Sequence, residues 1–129
     1  MSDSNSPNCG SSFTVYRTWT ATDECGNTSS CTQRIDVVDT LPPVLFNVPT
    51  NDTVECSAIP EPANVTSTDN CSGAPVILSE TNVGSGCTYQ IQRIWTATDA
   101  CSNMVAATQT LTVIDTMPPV GLHLLLLLL

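Results

Sequence analysis

Seven cysteines, twelve carboxylates and one histidine are the side chains in this 129-residue chain best suited to bonding, metal binding or catalysis. Cys9, Cys25, Cys31, Cys56, Cys71, Cys87 and Cys101 contain no CxxC pair, and His123 stands alone in a leucine-rich tail, so zinc-ligand spacing is lacking. Thiols this numerous without metal spacing point to an oxidising compartment and to disulfides. No Ser/His/Asp or Cys/His constellation and no paired acids in a pocket motif occur. The chain therefore reads as no enzyme, with no catalytic residues. Asp39, Asp69, Asp99 and Asp115 are candidate hard oxygen ligands for Ca²⁺. None lies in a spaced acidic loop, and turn formation explains the same aspartates. Apart from Ca²⁺ no metal or cofactor is expected.

These residues recur in register. Arg17, Trp19, Asp23, Cys25 and Asn27 return as Arg93, Trp95, Asp99, Cys101 and Asn103, and Asp39-Thr40-Leu41-Pro42-Pro43-Val44 returns as Asp115-Thr116-Met117-Pro118-Pro119-Val120, each at an offset of 76 residues. A fixed period marks a tandem array. Residues 1–40 are then the C-terminal part, a hairpin, of one module, 41–116 a complete module, and 117–129 the start of a next module or a strand connecting subunits.

Tyr89, Ile91, Arg93, Trp95 and Ala97 alternate with polar residues, the period of a half-buried strand. Phe13, Val15, Arg17, Trp19 and Ala21 repeat it. Val105, Ala107, Leu111 and Val113 form the inward row of the strand that follows. Shorter strands are expected over 44–48, 53–57, 63–68 and 75–80, separated by Pro, Gly, Asn and Asp. Short strands without a helical pattern predict an all-β fold, an immunoglobulin-like antiparallel β-sandwich in tandem modules, incomplete at the N-terminus. Trp19 and Trp95 fall in the inward rows as core residues rather than sugar platforms. Arg17 and Arg93, two residues earlier, need a ring to stack on or an acid such as Glu55.

The strand assignment constrains the cysteines. Cys87 and Cys101 flank one long strand and cannot bond to each other. Cys71 and Cys101 each end a strand after a Thr-Asp-X step, so the expected pairs are Cys71 with Cys101 and Cys56 with Cys87. Cys9, Cys25 and Cys31 are left without partners, unless Cys25 and Cys31 bridge locally or the three bond between modules or chains.

With no Lys, three Arg and a net charge of −9, the surface repels phosphate backbones and anionic membranes. The leucine run from 124 to 129 is far too short to span a bilayer, which takes ~20 apolar residues. Residues 1–7 lack the basic and apolar parts of a signal peptide, so export is expected to use a segment upstream. Asn27, Asn51, Asn64 and Asn70 fit the N-glycosylation triplet. Thr40, Thr53 and Thr116 follow Asp and precede an aliphatic residue, which resembles a bacterial O-glycosylation signal. Covalent glycans are therefore candidates, and bare solvated surface is the alternative.

The run Arg-X-Trp-Thr-Ala-Thr-Asp-X-Cys-X-Asn, the Asp-Thr-X-Pro-Pro-Val linker, Val54-Glu55-Cys56 and Thr68-Asp69-Asn70-Cys71 resemble the hyalin-repeat-like modules of large Bacteroidetes-type secreted and surface proteins. The resemblance covers nearly everything to Val120. Related modules often carry cysteines where this chain has Val48 and Ala107. The resemblance implies an immunoglobulin-like sandwich and a structural or adhesive role. The expected function is a non-enzymatic extracellular or cell-surface repeat module of a filament or adhesin stalk, partnered by neighbouring copies or modules. The alternative is a carbohydrate- or protein-binding accessory module of a secreted enzyme.

Overall fold

Residues 1–121 are described by the computed structural model. The expected start of a further module over 117–129 lies largely outside them. Nine strands are present and, among the described residues, no helix: β1 (Ser2–Pro7), β2 (Phe13–Thr22), β3 (Thr28–Val37), β4 (Val44–Phe46), β5 (Asp52–Glu55), β6 (Thr66–Thr68), β7 (Val76–Val83), β8 (Thr88–Thr98) and β9 (Met104–Ile114). The fold is all-β, and its sheets are compatible with a β-sandwich. No helix among the described residues is long and apolar enough to cross a membrane.

The centre is β8. Its odd-numbered side chains Ile91, Arg93, Trp95 and Ala97 are buried while the residues between them are less so, which is the two-residue period expected of a strand with one face inward. Antiparallel β7 and β9 flank it, and β5 adds to the far edge of β9, giving the order β5-β9-β8-β7. The β5–β9 pair is parallel, so the sheet is mixed rather than wholly antiparallel. Leu111 and Val113 on β9 meet Ile91, with Val54 and Tyr89 packed against them. Gln109 is also buried, and its Nε2 donates to the Thr50 carbonyl at 2.8 Å. Together with the Asn51 oxygen, which accepts from the Thr110 amide, this bond leads the chain into β5. The short antiparallel pair β4–β6 forms a separate layer, with β4 touching β9. Beside this pair Val65 and Ala74 are buried.

Residues 1–40 hold three strands rather than the one expected hairpin. β1 pairs along its whole length with β2, giving the order β1-β2-β3. Its Ser/Asn/Asp-rich sequence carries no apolar pattern because all six residues are exposed, and it is held by backbone pairing with β2 and by the Asp3–Arg17 ion pair. The register matches that of β7-β8-β9. Asp3 faces Arg17 as Glu80 faces Arg93, and Trp19 faces Cys31 as Trp95 faces Ala107.

The two inward rows differ in burial. Trp95 is 2% exposed, but Trp19 is 40% exposed, which corrects its expected place in a core. Val15 and Arg17 in the same row of β2 are half-buried. Both arginines pair across the strand with an acid other than Glu55. Arg93 Nε donates to Glu80 at 2.6 Å and its Nη2 to the Pro60 carbonyl at 2.8 Å, whereas Arg17 bonds Asp3 at 3.0 Å in solvent. Glu55 instead accepts from the amide and hydroxyl of Thr116.

Leu111 is fully buried. Leu111→Ala is expected to lower the unfolding free energy by about 2–5 kcal/mol in urea titration. An unchanged midpoint would mean that β9 does not carry the core.

Candidate functional site

Four chain segments meet at one corner of the molecule, and each is held by a local hydrogen-bond device. The turn after β8 is closed by Asp99. Its Oδ1 accepts from the amides of Cys101 at 2.8 Å and Asn103 at 2.9 Å, and its Oδ2 accepts from Asn103 Nδ2 at 2.8 Å. Ser102 takes φ +70° to make that turn. Asp23, Gly26 and Asn27 build the same turn after β2, with Gly26 at φ +85°, the left-handed region in which glycine is least strained. After β6, Asp69 Oδ1 accepts from the amides of Cys71 and Ser72, both at 2.9 Å.

The loop 8–12 enters between these turns. It is closed by the Asn8 amide donating to the Ser12 carbonyl and the Ser12 amide to the Cys9 carbonyl. Gly10, at φ +53°, sits so close that an added Cβ would lie 3.0 Å from Ala100 Cβ and 3.2 Å from Ser72 Cβ. Ser11 donates its hydroxyl to the Cys71 carbonyl. The fourth segment is the linker after β3. The Asp39 amide donates to Ser12 Oγ at 2.9 Å, and its carbonyl accepts from Asn103 Nδ2 at 3.2 Å.

This packing corrects the disulfide assignment. Cys101 is bonded to Cys9, with Cα atoms 4.9 Å apart, and not to Cys71. Gly10 wedges between the turns that carry Cys71 and Cys101, so the loop presents Cys9 to Cys101. Cys56 and Cys87 are free as well. They lie at the same end of the sheet, next to Glu55 and Thr88, both of which pair with Ile114 of β9. With β9 running between them their strands are ~10 Å apart, beyond the ~7 Å Cα separation a disulfide tolerates. Cys25 and Cys31 are free and exposed.

The electrostatics of the corner are one-sided. Asp39, Asp69 and Asp99 each bring a carboxylate oxygen within 4.8 Å of the others, while Asp115 lies apart with Glu55 and Cys56 in a more exposed group. Of the four aspartates proposed as oxygen ligands, the fold therefore joins three. Asp39 and Asp99 are buried and Asp69 is half-buried. Burial opposes the charge on Asp99, but hydrogen bonds from the Asn103 side chain and amide, then from the Cys101 and Ser102 amides, outweigh it and hold its pKa below the ordinary value. With a depressed folded pKa, the turn's contribution is present above the usual aspartate range. It is lost as pH falls through the folded value. Burial, then the charges of Asp39, Asp69 and Asp99, pushes the Cys71 thiol up against the opposing hydrogen bond from Asn70. That keeps Cys71 protonated and a poor nucleophile toward the nearby disulfide.

The glycosylation candidates Asn27, Asn51, Asn64, Asn70, Thr40, Thr53 and Thr116 are all exposed. Asn27 Nδ2 already donates to Asp23, Asn70 Nδ2 to Cys71 Sγ, and the Thr116 hydroxyl to Glu55. Ser12, buried at the centre of the corner, has no sequence signal; Asn103 has one, its recurrence with Asp99 and Cys101.

No protein-family model matches the chain, and no curated protein is detectably similar to it.

The Cys9–Cys101 bond closes a loop spanning 92 positions. Cys9→Ser is expected to lower stability by about 2–4 kcal/mol. Non-reducing peptide mapping of the parent should recover Cys9 linked to Cys101. Recovery of Cys71 linked to Cys101 would refute this corner.

Proposed function

We propose that this chain is a non-enzymatic extracellular structural protein, a run of disulfide-stapled, immunoglobulin-like modules of hyalin-repeat type in a surface filament or adhesin stalk. The observation that carries the reading is the unequal burial of two matching strands. In β8 the row Ile91, Arg93, Trp95 is enclosed; in β2 the matching Val15 and Arg17 are only half-buried and Trp19 is exposed. Arg93 has the Pro60 carbonyl as well as Glu80, whereas among the described residues Arg17 has only Asp3. Exposure of a Trp beside other apolar residues is costly in an isolated domain and marks a surface meant to be covered.

The occupant proposed is the first half of the same kind of module, the counterpart of the region from β4 to β6. It comes from an adjoining module or a neighbouring copy. The 76-residue recurrence supports this, because β2 repeats the pattern of β8, whose Arg93 is met by the Pro60 carbonyl of the segment between β5 and β6. Free, exposed Cys25 and Cys31 are available for bonds to such a neighbour. The chain carries three arginines against twelve acids, which suits an exported fibre and not a nucleic-acid partner. Exposed Asn and Thr acceptors give the fibre places for glycans.

The accessory-module reading uses the same observation differently, with exposed Trp19 as a sugar platform. Electron microscopy of the native material separates the two. Filaments with density from a second module or copy over the Trp19 face are expected. Dispersed single chains with measurable glycan affinity lost in Trp19→Ala would overturn the fibre.

A further inference from the structure

We propose that Asp39, Asp69 and Asp99 form a Ca²⁺ site that ties the linker after β3 to the turns after β6 and β8. Three carboxylate oxygens lie within 4.8 Å of one another. Oxygens on opposite sides of one Ca²⁺ are about 5 Å apart, given ligand distances near 2.3–2.6 Å, so one ion can reach all three.

An acidic cluster alone would not distinguish a site from three turn-forming aspartates. The second observation is what the hydrogen bonds leave over. Asp39 is only 8% exposed, and its Oδ2 is buried without any donor. Asp69 Oδ2 is likewise buried and without a donor. Turn formation uses the other oxygens: Asp69 Oδ1 takes the Cys71 and Ser72 amides, and Asp39 Oδ1 takes the Leu41 amide at 3.3 Å. A buried acceptor with no partner costs free energy, and more so when it is charged.

Among the described residues no Lys or Arg side chain is on hand to offset this. The chain has no Lys, and its three arginines are paired elsewhere, Arg17 with Asp3, Arg34 with Asp36 and Arg93 with Glu80. Mutual repulsion among three close carboxylates is removed either by a proton or by an external cation. Hard oxygen donors with no nitrogen or thiolate among them select Ca²⁺ over transition metals. Three carboxylates drawn from three separate segments also lack the near-ideal octahedral cage that Mg²⁺ demands.

The placement gives the ion a mechanical role. Asp39 follows β3, so its backbone moves with the β1-β2-β3 sheet, whereas Asp69 and Asp99 belong to the turns of the larger unit. A shared ion adds a tie between them beside the Cys9–Cys101 disulfide and the Asn103–Asp39 hydrogen bond. It acts within a single chain, so its test does not depend on filament formation.

Titration calorimetry of the full chain with CaCl₂ is the test, alongside thermal unfolding in CaCl₂ and in NaCl of equal ionic strength. Saturable one-site binding and a Ca²⁺-specific rise in Tm are expected, with Mg²⁺ binding more weakly. Asp39→Asn should weaken binding by at least the ~10–100-fold that loss of an outer-shell partner costs a metal site. Asp115→Asn, in the separate exposed cluster, should leave it unchanged. If Asp39→Asn does not fold, as judged by circular dichroism, half-buried Asp69→Asn replaces it in the same comparison. No saturable binding, equal response to NaCl, equal affinity for Mg²⁺, or loss of binding in Asp115→Asn alone would each overturn the assignment.

Discussion

Enclosure of one face of β8 is the constraint on which the rest of the structure depends. Ile91, Arg93, Trp95 and Ala97 can be inward only if strands bond both edges of β8 and another layer lies over the row. The first condition is met by β7 and β9, and toward the second the segment before β6 brings the Pro60 carbonyl onto Arg93. Arg93 makes the demand strict. A guanidinium 3% exposed must have its donors met, and Glu80 and the Pro60 carbonyl meet them from two different segments. Burial of the row and satisfaction of its one charged member are thus a single structural event.

The same sequence pattern in β2 reaches only half of that result. Backbone pairing with β1 and β3 satisfies the edges of β2, and Asp3 reproduces the partner that Glu80 provides. The covering layer is what differs. A repeated strand with repeated cross-strand partners and a lesser-buried row is the observation that supports the proposed assembly. The corner built from Cys9, Ser12, Asp39, Asp69, Asp99 and Asn103 then fixes how the open sheet is held against the closed one. Its covalent tie and the hydrogen bonds from Ser11 to the Cys71 carbonyl and from Asn103 to the Asp39 carbonyl cross from residues 8–40 to residues 69–103.

Much of this was legible in residue order. The two-residue period of 89–97 located β8 and its inward row, and the recurrence of Asp-X-Cys-X-Asn anticipated two identical turns. What sequence could not supply was which elements meet at a corner. β1 has no apolar alternation because neither face is covered, so nothing in Ser2–Pro7 marks it as a strand. The pairing of Cys101 with Cys71 followed from matching strand ends. It failed because a glycine, Gly10, allows an earlier loop to wedge between those ends. Among the aspartates, only folding separates Asp115 from the three that converge. The linker position of Asp39 gives no hint that its side chain is buried.

The claim that the face of β2 is meant to be covered is tested most directly by tryptophan quenching. The chain has only Trp19 and Trp95, so a Trp95→Phe variant reports on Trp19 alone. Acrylamide should quench Trp19 readily in the dispersed chain and far less in the assembled native material, where a module half lies over it. Equal quenching in both states would contradict the account, because the exposed row would then be an ordinary solvent face.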